Sequence, residues 1–187
     1  MLKQFVFNAM LAENSLSQLS EHGISVRGGM ATPPTINVEE AGFSPRVVYE
    51  ATQMASVFMA FFCLENSVRE LITERLLSRL GTEWWSSSVP QKIKFAVEKL
   101  KEKESDTRYH TPRSAAMIGY TMFGNLAQII IANWENFSDL FPDQSWIMSR
   151  FNDLEMSRNI IMHTGTLPQL EIDRIESIVR DWIRQVG

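Results

Sequence analysis

Apolar positions along this chain recur mostly at intervals of three and four residues, the signature of helices that bury one face. Residues 4–21 predict a first helix, with Phe5, Ala9 or Met10, Leu16 and Leu19 at roughly that spacing. Gly23, Gly28, Gly29, Pro33 and Pro34 then break the pattern within twelve residues, so residues 1–43 read as an N-terminal helix and Gly/Pro-rich linker ahead of a domain over 44–187. Ser44 and Pro45 have the chemistry of an N-cap and a first-turn proline. The helix they open can run to Leu80 and stop at Gly81, a length that leaves room for a kink. Ser88-Val89-Pro90-Gln91 has the form of a capping box opening the next helix. Thr111-Pro112 is a candidate start for a short helix, and residues 122–140 predict a stronger one that Pro142 ends. Residues 144–163 predict a helix closed by Gly165, and Thr166-Leu167-Pro168-Gln169, a second capping box, opens the last over about 168–186. With no strand pattern and no internal repeat, the expected class is all-α, an irregular helical bundle.

Two of the apolar stripes are interrupted by charge. On the long helix, Met54, Phe58, Phe61, Val68, Ile72 and Leu76 form a stripe with Glu65 in its middle. On the helix over 144–163, Ile147, Phe151, Leu154 and Ile161 form a stripe with Arg158 in its middle. An unpaired buried charge is very costly, so the simplest resolution is that the two meet. The expectation is a Glu65–Arg158 pair, with Arg69, one turn along from Glu65, as a third member.

Composition narrows the class without naming an activity. Hydrophobic residues make up 44% of the 187 and charged residues 21%, enough apolar surface for a real core in one domain plus an appendage. The net charge of −4 argues against a nucleic-acid binder driven by a broad basic field, though not against an enzyme that touches RNA at one local patch. Cys63 is the sole cysteine, so no intrachain disulfide or Cys-based zinc site can form. No secretory signal is evident at Met1-Leu2-Lys3, and the apolar stretch Met54–Leu64 stops at Glu65, too short for a bilayer span. The expected setting is cytoplasmic, with no membrane partner.

The best candidate for chemistry is the segment from Arg158 to His163. Asn159 and His163 are four residues apart, on one helix face turned away from the core stripe. His163 lies in the last turn, where the negative end of the helix favours a protonated imidazole, and histidine is the side chain suited to general acid–base work near neutrality. Such a set suits RNA cleavage without a metal. Histidine assists attack of a 2′-hydroxyl on the adjacent phosphate, arginine stabilises the charge that grows on phosphorus, and asparagine holds a phosphate oxygen or the ribose. One histidine is thin for a complete acid–base cycle, and two copies facing each other in a homodimer would supply the missing groups. A structural arginine in an ion pair and an exposed histidine at a helix end would give the same pattern.

Beyond that segment the signals are blander. Trp84 and Trp85 read as a wedge between a helix end and the core rather than a base-stacking platform. Lys92, Lys94, Lys99, Lys101 and Lys103 alternate with glutamates, as on a solvated face. His22 and His110 lack partners at metal-ligand spacing, Gly28-Gly29 lacks the lysine of a phosphate loop, and no metal or other cofactor is expected. The Met and Phe residues between 54 and 62 read as core or dimer seam.

Arg158-Asn159 followed by His163 near the end of a late helix resembles the signature of the HEPN superfamily: arginine, a polar residue, and then histidine. The text around it resembles the Swt-type branch. It includes Leu64 to Ile72, Gly81-Thr82-Glu83-Trp84-Trp85, Val89-Pro90, and Ile130 to Phe141 with Trp134 and Phe137, ahead of Leu154-Glu155. The similarity covers about residues 50–187 and leaves residues 1–43 outside. It implies a compact helical bundle that often dimerises with the motif in a cleft at the interface. Many members are metal-independent RNA endonucleases of toxin systems, antiviral defence and RNA surveillance, and others are inactive and architectural. Arg158 and His163 match the catalytic pair, Asn159 the polar position, and Glu65 an acid on an early helix that often faces the motif. Some HEPN toxins carry a tyrosine two residues after the histidine, the target of a partner transferase; Gly165 stands there, so that partner is not expected. The expected partners are an RNA substrate, with tRNA a candidate, a second copy of the chain, and a regulatory or antitoxin protein. The alternative is a non-catalytic HEPN scaffold that binds a partner protein or nucleotide.

Overall fold

The computed structural model describes Val38, residues 41–107 and residues 109–186. The helix expected over 4–21 lies outside the described residues, as does most of the linker after it. The chain divides into two units, Met1–Phe43 and Ser44–Gly187. Among the described residues the second holds six α-helices: α1 (Pro45–Leu80), α2 (Trp84–Ser88), α3 (Gln91–Ser105), α4 (Phe123–Ala132), α5 (Gln144–Met162) and α6 (Gln169–Val186). Two 3₁₀ turns, Met117–Tyr120 and Trp134–Asn136, join them, and no strand occurs among the described residues. The fold class is the expected all-α bundle.

The 36 residues of α1 run without interruption. Ser44 Oγ accepts a hydrogen bond from the Val47 N–H (3.4 Å) with Pro45 in the first turn. At the other end Gly81, at φ 78°, turns its N–H onto the Leu77 carbonyl, a conformation that costs glycine nothing. The buried face comprises Met54, Val57, Phe61, Leu64, Glu65, Val68, Ile72 and Leu76, against which α4, α5 and α6 pack. Phe58, expected in this stripe, is 44% exposed, because the neighbours approach from the side of Val57 and Leu64. The unbroken helix also lengthens the apolar stretch read from the sequence. An 18-residue window has a mean hydropathy of 1.5, so by length and composition α1 is long and apolar enough to cross a membrane.

Helix α4 is the centre of the bundle, burying Phe123, Leu126, Ala127, Ile129 and Ile130. It ends at Ala132, well short of the expected Leu140. Asn133 breaks it: at φ −116° and ψ 32° the residue leaves helical geometry. Its side-chain amide donates to the Ser88 carbonyl (3.1 Å) and to the Ile129 carbonyl (2.8 Å). Beyond the break, Phe137 and Phe141 still return to the core.

Three further expectations fail, two of them because side chains found closer partners. Ser88 is not the cap of α3; it is the last residue of α2, and its hydroxyl donates to the Trp84 carbonyl (2.7 Å). Pro90 flanks the start of α3 with no side-chain cap. Thr166 does not cap α6, since the Gln169 amide turns forward to Asp173 (2.8 Å) and Pro168 offers its carbonyl to the Glu171 and Ile172 N–H groups. No helix starts at Thr111-Pro112; the chain stays irregular until Met117. Trp84 does wedge the α1–α3 corner, 8% exposed and edge-on to Trp85 at 5.6 Å.

Asn133 is 8% exposed and joins α4 to the end of α2, so its removal takes the donor from the partly buried Ser88 carbonyl. Asn133→Ala is expected to cost about 1–3 kcal/mol in urea unfolding. A change of only a few tenths would mean that the break in α4 is held by packing alone.

Candidate functional site

Helix α5 starts at Asp143, whose carboxylate accepts from the Trp146 N–H (2.8 Å). It buries Ile147, Phe151, Leu154 and Ser157 and keeps Ile161 partly covered. Its far end carries the candidate residues and closes in a Schellman motif: the Thr164 N–H bonds the Ile161 carbonyl (2.9 Å) and the Gly165 N–H bonds the Ile160 carbonyl (2.8 Å). The left-handed residue is Thr164, at φ 61°, one before the glycine expected to close the helix. A β-branched residue there is strained, and it sits next to His163. Gly165 is needed for a different reason: a Cβ on it would come within 2.6 Å of the Ile160 side chain.

Asn159 and His163 both stand exposed at this helix end, and no hydrogen bond engages either side chain among the described residues. Arg158 is different, with a side chain 22% exposed and turned toward α1. Five residues at about 100° each set His163 roughly 140° around the helix axis from Arg158.

Glu65 is the charge that Arg158 meets. It is 7% exposed on the core face of α1. Its tight partner is Arg69, with Nη2 at 2.6 Å from Oε1, while Arg158 Nε stands 3.8 Å from Oε2. The expected ranking is thus reversed: Arg69 is the principal partner and Arg158 the outer member. Arg69 also donates to the Thr121 carbonyl (2.7 Å) and to the Asn66 side chain (3.1 Å), which fixes its guanidinium against the start of α4. Among the described residues, no hydrogen bond occupies either Nη of Arg158, so its donor fork stays available.

A fourth charge was not singled out by the sequence reading. Glu155, three residues before Arg158, accepts a hydrogen bond from the Gly124 N–H in the first turn of α4. A carboxylate at a helix N-terminus meets unpaired N–H groups and the positive end of the dipole. Gly124 permits the approach, since a Cβ there would fall 2.6 Å from Glu155 Oε2. The available signal was the three-residue spacing of Glu155 and Arg158, but nothing in the sequence showed that α4 would end against it. Burial pushes the Glu65 carboxyl above the usual carboxylate range; Arg69 and Arg158 pull it back, and the nearby Glu155 adds to the rise.

Removing one member of a buried pair leaves the other uncompensated. Arg69→Ala is expected to cost roughly 3–5 kcal/mol. Arg158→Ala leaves the 2.6 Å bond between Glu65 and Arg69 in place and should cost about 1 kcal/mol or less. Urea unfolding of both variants checks the order, and equal losses would sink it.

Among the described residues no three His, Cys, Asp or Glu side chains gather as a metal site. What the geometry offers is an arginine fork held from behind by a carboxylate, beside an amide and an imidazole open to solvent. A family model for Swt1-like HEPN domains matches residues 59–187. No curated protein and no solved structure matches the chain. HEPN domains commonly bind RNA and dimerise, and membership suggests a ribonuclease-like or nucleotide-binding function. The matched stretch takes in Glu65, Arg69, Glu155 and the whole segment from Arg158 to His163, and the chain belongs to the Swt1-like HEPN family.

Proposed function

We propose that this protein is a metal-independent endoribonuclease whose active site is completed in a homodimer. The observation that carries the reading is the free fork of Arg158, anchored through Nε near Glu65, on the same helix end as the exposed Asn159 and His163. In this mechanism His163 accepts the proton of a ribose 2′-hydroxyl as its oxygen attacks the adjacent phosphorus. Arg158 stabilises the phosphorane charge and Asn159 holds a phosphate oxygen. The P–O5′ bond breaks, and a protonated His163 from the second copy returns a proton to the leaving oxygen. The products are a 2′,3′-cyclic phosphate and a 5′-hydroxyl.

Two features support a second copy. A single copy supplies one histidine at this helix end, whereas the cycle needs both a base and an acid at the same phosphate. Apolar side chains also stand open near the cluster: Phe58, Met59 and Phe62 on α1, and Met156, Ile160 and Met162 on α5. Phe62 sits one turn before Glu65, and Met162 one turn after Arg158, which brings this surface alongside the charged cluster. A cytoplasmic toxin or antiviral-defence role, with a regulatory or antitoxin partner, is part of the proposal. The scaffold alternative draws on one specific fact, that Glu65 and Arg69 already form a satisfied structural pair without Arg158.

With total RNA and a tRNA pool in EDTA, wild-type protein is expected to leave fragments ending in 2′,3′-cyclic phosphate, and His163→Ala to leave none. The fold should be unaffected, because His163 is exposed. No cleavage, or equal cleavage by both, would favour the scaffold. Phe62, 60% exposed, tests the dimer. Phe62→Glu should shift the sedimentation mass from dimer to monomer and abolish cleavage together, whereas an active wild-type monomer would refute the composite site.

A further inference from the structure

Beyond α3 the chain turns back on the helix end and borders an open pocket of about 310 Å³, whose lining shares no residue with the charged cluster of α1 and α5. Its walls include Leu100, Lys103, Glu104, Thr107, His110 and Arg113. The turn is set by backbone bonds from the Thr107 N–H to the Glu104 carbonyl (3.0 Å) and from the His110 N–H to the Thr107 carbonyl (3.1 Å).

Arg113 is the organised element. Its Nε donates to Glu104 Oε1 (2.5 Å), its backbone N–H donates to Glu104 Oε2 (3.2 Å), and its guanidinium lies over the Tyr120 ring at 5.4 Å from the centroid. The plane is held on one edge by a carboxylate and on one face by an aromatic ring. Both Nη groups are left without a protein partner among the described residues. Glu104, the acid that would otherwise repel an anion, has both oxygens spent on Arg113. Burial pushes the Glu104 carboxyl up, but the two bonds and the charge of Arg113 outweigh that and hold it below the usual carboxylate range. Lys103 forms no ion pair among the described residues, so Lys103 and Arg113 against Glu104 leave the cavity net positive. Tyr109, the residue before His110, is 99% exposed, a free ring on which a base can stack.

We propose that this cavity binds the terminal phosphate of a nucleotide, either the phosphorylated end of an RNA strand or a free nucleoside monophosphate. The Arg113 fork and Lys103 hold the phosphate oxygens, a phosphomonoester being the group whose charge and acceptor count this set matches. The cavity is of the size of small-ligand sites. The proposal stands independently of the nuclease reading and can be tested without cleavage.

The probe is a short 2′-O-methyl oligoribonucleotide, which cannot be cleaved by 2′-hydroxyl attack, carrying either a terminal phosphate or a hydroxyl, followed by fluorescence anisotropy. The phosphorylated form is expected to bind about tenfold tighter, the loss of one well-placed charged contact being worth roughly that factor. Lys103→Gln and Arg113→Gln should each abolish most of the difference. Lys103 is exposed and bears no structural bond to lose, so it decides the matter if Arg113→Gln disturbs the loop. Adenosine monophosphate that competes as well as the phosphorylated strand assigns the site to free nucleotides; weak competition assigns it to strand ends. Equal binding of the two oligonucleotides, or a difference that survives Lys103→Gln, would overturn the proposal.

Discussion

The structure is organised around one buried carboxylate. Glu65 occupies the middle of the core face of α1, where a methyl-bearing side chain would be expected, and is 7% exposed. A charge in that position must be answered. Arg69 answers it from the next turn, and is itself tied down by the carbonyl of Thr121 just before α4. Arg158 arrives from α5 at a longer distance, and Glu155 reaches past it to the first turn of α4. Two acids and two bases from two helices thus converge on the start of a third, and the relative placement of α1, α4 and α5 follows from satisfying them.

That arrangement explains why Arg158 is suited to chemistry. Had it been the sole partner of Glu65, its guanidinium would be consumed by the pair and rigidly buried. Because Arg69 takes the close contact, Arg158 is oriented by attraction while its two Nη groups stay unbonded among the described residues. An arginine held from behind and open in front is the geometry needed to meet a phosphate without first paying to order the side chain. The helix end beside it is also set firmly: the paired bonds of the Schellman motif fix His163 at the last turn, with the strained Thr164 immediately after.

Local sequence signals failed where a side chain had two possible partners. Ser88 and Asn133 look like ordinary helix-boundary and helix-interior residues, yet they meet at one point, the Asn133 amide on the Ser88 carbonyl. That contact spans 45 residues, so neither end of it is legible from its own neighbourhood. The same holds for Gly165, whose presence at a helix end is legible as a stop, although which of two adjacent residues takes the left-handed conformation is settled by the fit against Ile160.

The sequence by itself determined the class and most of the elements. Periodicity of three and four gave the helices, Ser44, Pro45 and Gly81 bounded the longest, and the charges at Glu65 and Arg158 on apolar faces announced that α1 and α5 must meet. These are properties of a single helix and its own face, and burial cost alone makes them readable. Only the tertiary structure decided which arginine lies closest to Glu65, that Glu155 joins the cluster through Gly124, and that Phe58 stays on the rim. Distances of a few ångströms between helices distant in sequence depend on how all of them pack at once, and no local pattern carries that information.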